Sequence, residues 1–336
     1  MYKKIALVIC TYQRPKALAT LLGSVERQSF YPDQILIIDG SIDDTTAIHF
    51  RKGTIPNLEY YKVSASQRGL TKQRNFGVER VKHGIDYISF LDDDVVLEPD
   101  YFQQILDAFQ EKPNAYGIGG YIINEVVWQQ DQNETKKGWF SYDGYQRKEG
   151  SRFKLRAIFG LEPDLPPGNM PSFGHGRSIS YLPPSGKLYQ VEQLMGGVAT
   201  YKKIIFEKLN FSSYFEGYSL YEDADFSLRA SRYGPLWINT KARLQHYHDP
   251  LGRPNLYDYG KMVIRNGWYV WRVKYPNPSI KARFKWNATA LLLTLIRFSN
   301  IISTADRSGA FQESAGRIIG LLSLIVSKPL SKRFDP

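Results

Sequence analysis

The chain has 336 residues, 43% hydrophobic and 23% charged, enough to bury a substantial core and too apolar for disorder to be the default. Its single cysteine, Cys10, excludes an internal disulfide framework and fits a reducing compartment. The net charge of +11 is uneven: residues 261–336 hold 13 Lys and Arg against 3 Asp and Glu, while the first 260 hold 31 against 30. A nearly neutral domain therefore carries a basic tail, a pattern that points to an anionic surface, membrane or nucleic acid.

Ile5 to Cys10 and Gln34 to Ile38 are continuous apolar runs, as parallel strands covered on both faces require. The first is too short, and followed by the wrong residues, to be a signal peptide. Between the two runs, Pro15 to Gln28 places Leu18, Leu21, Leu22 and Val25 on one helical stripe. Strand, helix and strand over this length predict a βαβ unit, and with it a nucleotide-binding α/β sheet. Ligands of such sheets bind beyond the carboxyl ends of the strands, where Thr11-Tyr12-Gln13-Arg14 and Asp39-Gly40-Ser41 lie. No Gly-x-Gly-x-x-Gly follows the first strand and no Gly-Lys-Ser/Thr loop occurs, which disfavours dinucleotide oxidoreductases and P-loop enzymes. Gln67 to Asn75 opens another helix whose basic residues, Arg68, Lys72 and Arg74, suit a phosphate or simply solvent.

Tyr87-Ile88-Ser89-Phe90-Leu91-Asp92-Asp93-Asp94 is the stretch around which the chain is organised. A short buried strand does not ordinarily finish in three like charges, because adjacent carboxylates repel and are costly to desolvate. A divalent cation such as Mg²⁺ or Mn²⁺ removes the conflict; a solvated acidic turn is the alternative. Ala115 to Ile123 reads as a further strand, and residues 124–184, dense in Gly, Pro, Tyr and Trp, as a long irregular stretch shaping an acceptor pocket. Trp128, Trp139 and Trp237 could stack on a sugar but suit core packing better. Gly196-Gly197 precedes a strand at Val198 to Tyr201, and Glu222-Asp223-Ala224-Asp225 opens a helix on which Asp225 and Arg229 form an i,i+4 pair. His246 and His248, two of five histidines, share one side of an extended segment and are candidate metal ligands.

In this order the segments resemble the inverting family 2 glycosyltransferases, over roughly residues 3–253. The matching pieces are Thr11 to Pro15, Asp39 to Thr45, Gly69 to Asn75, Leu91 to Asp94, Gly196-Gly197 with Tyr201, Glu222 to Asp225 with Arg229, and His246 with Asp249-Pro250. The resemblance implies a GT-A fold: an α/β domain at 1–255 with a mixed, mostly parallel sheet flanked by helices. Its nucleotide-binding half would span 1–95 and its acceptor half 96–255. It further implies that Thr11, Tyr12 and Arg14 border the nucleotide, that Asp39 bonds the base and that Arg74 holds the diphosphate side. Asp92 would face the ribose with Asp93 beside it, Asp94 and His246 would ligate Mn²⁺ or Mg²⁺, with His248 as the substitute for His246, and Asp223 would be the catalytic base. The implied reaction moves a sugar from a nucleoside-diphosphate donor, UDP-sugar favoured, to a hydroxyl of a glycan or lipid-linked acceptor, in cell-surface polysaccharide synthesis. A sugar nucleotidyltransferase is the alternative, although Thr11 to Pro15 is not the Gly-rich basic loop that class needs.

Residues 256–336 read as a basic amphipathic helical region. Ile280, Phe284, Leu291, Leu295, Phe298 and Ile302 recur at helical intervals among Lys281, Arg283, Lys285 and Arg297, and Ile318 to Val326 adds a short apolar run. Neither is an unbroken span of the roughly 20 residues that crossing a bilayer takes. Lying on an anionic membrane, or packing on the domain or in a homodimer, are the two expectations. No nucleic-acid motif is visible, so nucleic acid is not the expected partner. The location expected is cytoplasmic, peripheral on the inner face of the cell membrane.

Overall fold

The computed structural model describes residues 3–51, 55–131, 138–215, 217–248 and 254–329. In chain order the elements are β1 (Ile5–Thr11), α1 (Pro15–Val25), β2 (Gln34–Asp39), α2 (Thr45–Arg51), β3 (Leu58–Lys62), α3 (Leu70–Val78), β4 (Tyr87–Asp92), β5 (Val95–Leu97), α4 (Tyr101–Glu111) and β6 (Gly117–Ile122). Then come β7 (Gln129–Gln130), β8 (Trp139–Tyr142), β9 (Tyr145–Lys148), α5 (Ser151–Ile158), β10 (Leu188–Val191), β11 (Val198–Lys202), α6 (Glu222–Ala230) and β12 (Leu236–His246). Three long helices close the chain: α7 (Leu256–Lys274), α8 (Ile280–Ser303) and α9 (Arg307–Val326). These residues form two compact units, 1–127 with 182–253, and 128–181 with 254–336.

The first unit is built on a mixed sheet of order β10-β12-β6-β11-β4-β1-β2-β3, with β5 paired to β12. The strands from β3 to β4 are parallel, and β12 is parallel to β6, while β11 runs antiparallel between β4 and β6. The parallel pairing of β1 with β2 is what the apolar runs predict, and it lies within a mixed α/β sheet. The predicted stripe of α1, Leu18, Leu21, Leu22 and Val25, is fully buried against it. On α4, Tyr101, Phe102, Ile105, Leu106 and Phe109 are buried, each contributing about 1.5–3 kcal/mol. Register then sets the site: Thr11 lies opposite Asp39, and Cys10 opposite Asp92, so the polar ends of β1, β2 and β4 lie side by side.

In the second unit the stretch expected to be irregular holds a small antiparallel sheet, β7-β9-β8, and the helix α5. Its short strands alternate too little for a period to stand out; aromatic and arginine stacking holds them, with Arg177 over Phe140, Phe153 and Tyr181. Trp128 and Trp139 are half-buried there, and Trp128 meets Phe140 edge-on. Trp268, Trp271 and Trp286 form a cluster with ring centroids 4.9–5.5 Å apart, joining α7 to α8. Helices α7 and α9 approach through glycines: a Cβ on Gly316 would stand 1.9 Å from the Tyr257 carbonyl oxygen, and one on Gly260 2.1 Å from that of Glu313.

The predicted helix at 279–302 is present, but its apolar stripe points outward. Ala282, Trp286, Thr289, Ala290 and Thr294 are the buried residues of α8, whereas Phe284 is 73% exposed and Ile302 85%. Periodicity detects a stripe without revealing which face packs, and here small residues and one Trp make the closer fit. Among the described residues no helix is long and apolar enough to cross a membrane.

Candidate active site

Each sequence-predicted residue in the first unit sits at a strand end, in the segment just past one, or on a helix's first turns. Thr11, the last residue of β1, donates its hydroxyl hydrogen to Asp93 Oδ2 at 2.6 Å, and Arg14 Nη1 donates to Asp93 Oδ1 at 3.0 Å. The same guanidinium nitrogen stands 3.6 Å from Asp94 Oδ2. Burial raises the Asp93 carboxyl to about 6, against the pull of Thr11 and Arg14. Tyr12 is half-buried in the same loop. Asp39, fully buried at the end of β2, accepts from Ser41 N at 2.7 Å and from the Tyr60 hydroxyl. Gly40 beside it has a packing reason, because a Cβ there would lie 2.9 Å from Gln73 Oε1. Gln73 in turn clamps the strand ends, donating to the carbonyls of Thr11 (3.2 Å) and Ile38 (2.8 Å).

Arg74 is buried between two acidic groups instead of facing open solvent. Its Nη1 donates to Glu222 Oε1 in a short contact, its Nη2 lies 3.6 Å from Asp92 Oδ1, and it stacks on Phe211 and Phe90. The guanidinium thus ties the first turn of α6 to the end of β4. Burial pushes Glu222 up to about 8, with Asp223 adding repulsion and Arg74 opposing it. Asp223 is half-buried; its Oδ2 accepts from Gly196 N at 3.2 Å and its Oδ1 from Ala224 N at 2.8 Å. Gly196 and Gly197 allow these groups to converge. A Cβ on Gly196 would meet Arg74 at 2.6 Å and Glu222 at 2.7 Å, and one on Gly197 would lie 2.0 Å from Asp92 Oδ2. The predicted Asp225–Arg229 pair forms at 2.6 Å and is fully buried, a structural bond across one helical turn.

Asp94 and His246 are far apart in sequence and meet because β12 pairs antiparallel with β5, setting His246 opposite Val95. His246 Nε2 lies 3.2 Å from Asp94 Oδ1, and Nδ1 lies 3.0 Å from Oε1 of Glu125, just past β6. Burial opposes charge on the imidazole, but Asp94 and Glu125 outweigh it and push His246 up to about 10. Asn124 fixes the backbone of His246 from both sides, at 2.9 and 3.0 Å. His248 is 53% exposed and reaches Glu125 Oε1 at 2.8 Å. Asp249-Pro250, the remainder of that motif, lies outside the described residues. Sequence reasoning missed Glu125, Gln73 and Tyr60, which become visible only when strand ends are brought together.

A ligand atom from each of Asp92, Asp94 and His246 falls within 4.8 Å of the others, as do those of Glu125, His246 and His248. Two carboxylate oxygens and one imidazole nitrogen suit Mg²⁺ or Mn²⁺, and a cation there would relieve the repulsion within the aspartate triplet. The residues therefore fit a divalent metal.

Residues 6–169 match the family described as Glycosyl transferase family 2. It is 26% identical over 127 residues to a glucosyl-dolichyl phosphate glucuronosyltransferase of Haloferax volcanii, covering 37% of this chain and 40% of that protein. An uncharacterized glycosyltransferase of Bacillus subtilis, YwdF, is 30% identical over 189 residues, 56% of this chain and 58% of the relative. A putative glycosyltransferase of the same organism, EpsH, is 29% identical over 103 residues, 30% and 29% of the two chains. The chain thus spans less than two thirds of the length of each of these relatives.

Proposed function

We propose that the protein is a metal-dependent inverting glycosyltransferase, moving a sugar from a nucleoside-diphosphate donor to a hydroxyl of a glycan or lipid-linked acceptor. One observation carries the reading: Gly196-Gly197 and Arg74 draw the acidic turn of α6 against the aspartate triplet at the carboxyl ends of parallel strands. Thr11, Tyr12, Arg14 and Asp39 line the nucleotide side in this reading, and Asp92 and Asp93 lie towards the ribose. Asp94 and His246 hold Mn²⁺ or Mg²⁺, which when bound supplies Lewis-acid stabilisation of the diphosphate leaving group. Arg74 acts on the diphosphate side by keeping Glu222 and Asp92 in position.

Asp223 accepts the proton of the acceptor hydroxyl as its oxygen attacks the anomeric carbon from the face opposite the leaving group. The bond to the diphosphate oxygen breaks as the new glycosidic bond forms, so the configuration inverts and no covalent enzyme intermediate is needed. The donor favoured is a UDP-sugar, and the acceptor half is residues 96–255. The relative named for glucosyl-dolichyl phosphate supports a lipid-linked acceptor, and the basic region at 256–336 supports a peripheral place on the cytoplasmic membrane face. Cell-surface polysaccharide synthesis and a homodimer belong to the same proposal.

The test is a nucleotide-sugar binding and turnover screen with Mn²⁺ or Mg²⁺. Asp94→Ala should lose metal-dependent donor binding, whereas Asp223→Asn should keep binding and lose turnover by at least about a hundredfold. Failure of every nucleotide sugar to bind under any metal condition would overturn the reading.

A further inference from the structure

Helix α8 is inside-out for a helix that packs in water. Its buried face is made of Ala282, Trp286, Thr289, Ala290 and Thr294, and its outward face of Ile280, Phe284, Leu291, Leu295, Phe298 and Ile302. With roughly 100° between successive residues, the outward six fall within about 60° of arc and run for about 33 Å. Such a face is far more ordered than the scattered apolar residues normal on a surface. Small residues packing inward and large aliphatic ones outward is the distribution of helices whose neighbour is lipid. The same holds for α9, whose glycines pack inward while Phe311, Leu322 and Ile325 are exposed.

Charge decides what covers the stripe. Lys281 and Arg283, both exposed, stand roughly 80° to either side of it at its amino-terminal end. Among the described residues from 261 to 329 the acidic side chains are Asp306 and Glu313. Asp306 caps α9 by accepting from Gly309 N, and Glu313 is buried between Arg297 and Arg317. A second copy of this face would therefore bring basic flanks without acidic partners, whereas anionic headgroups complement them while the acyl boundary takes the stripe.

We infer that α8 lies in the interface of an anionic membrane, apolar stripe inward and Lys281 and Arg283 at the headgroups. The inference rests on the membrane part of the reading above, and supplies the surface and the residues for it. Its test is cosedimentation of the full chain with phosphatidylglycerol or phosphatidylcholine vesicles, which reads binding without turnover. Donor binding measured on the same preparations separates failure of this inference from failure of the glycosyltransferase reading.

The chain should pellet with phosphatidylglycerol at low salt, be released by added salt, and leave phosphatidylcholine largely unbound. Phe284→Ser with Leu295→Ser should weaken binding more than tenfold. Lys281→Gln with Arg283→Gln should weaken it on the order of thirtyfold. All four residues are exposed, and circular dichroism and donor binding should match the unaltered chain. No pelleting with phosphatidylglycerol, or equal pelleting with both lipids, overturns the inference. So does a concentration-dependent dimer that Phe284→Ser with Leu295→Ser dissociates without any vesicle binding, since the stripe would then be covered by a second copy.

Discussion

Replacing Gly197 by Ala tests whether close packing at the diglycine holds the aspartate triplet in place. The added Cβ would stand 2.0 Å from Asp92 Oδ2 and 2.2 Å from its Cγ, where ordinary contact begins at 3.4 Å, so the carboxylate must move by about 1.4 Å. The obstacle is a charged group tethered by Arg74 at 3.6 Å, so the movement is opposed. Overpacking of this kind costs about 1–3 kcal/mol, which for a unit of this size lowers the melting temperature by roughly 2–10 °C. An error of about 1 Å at a reacting centre reduces turnover by about a hundredfold. Thermal unfolding and nucleotide-sugar turnover read the two effects. A paired variant isolates the cause: with Asp92→Ala already present, Gly197→Ala should add almost no destabilisation, giving a coupling of about 1–3 kcal/mol. A Gly197→Ala protein that melts and turns over like the original, or a destabilisation undiminished by Asp92→Ala, would refute the reasoning.

Three further outcomes follow from other contacts. Glu125→Gln weakens the hold on His246 Nδ1, and Mn²⁺ affinity measured by electron paramagnetic resonance should fall about 10- to 100-fold with no change in fold. Arg74→Ala leaves the buried Glu222 carboxyl without its partner, and should destabilise by about 1–3 kcal/mol in denaturant titration; Glu222→Gln in the same chain should recover part of that loss. His175 is buried against Trp286, and burial, reinforced by Arg156, lowers it to about 3 from 6.5. Its folded form is neutral, so its contribution is complete above pH 6.5 and is lost as pH falls towards 3, by up to about 1.4 kcal/mol per pH unit. His175→Asn, tolerable at its positive φ of 54°, should remove that slope; parallel stability profiles of the two proteins between pH 6.5 and 4 would contradict it.

The parallel half of the first unit was legible because its signals are local. Ile5 to Cys10 and Gln34 to Ile38 are apolar on both faces only because both faces of the sheet are covered, and α1 carries its buried stripe in plain view. The acidic ending of β4 was legible as three adjacent like charges closing a buried strand. β8, β9 and α5 were not legible, because arginine-on-aromatic stacking, not periodicity, holds that segment together.

Composition and motif order by themselves determined the fold class and the residue types that crowd the strand ends. Tertiary structure alone decided who touches whom there. Arg74 became the tie between Glu222 and Asp92, and Gly196-Gly197 became the gap into which they fit. Glu125 joined His246 because β6 and β12 are neighbours in the sheet, although residues 125 and 246 are distant in the chain. Sequence likewise revealed the stripe on α8, but only packing decided that it points outward. A helical period records which residues share a face; the neighbour that best fills the opposite face determines which way that face turns.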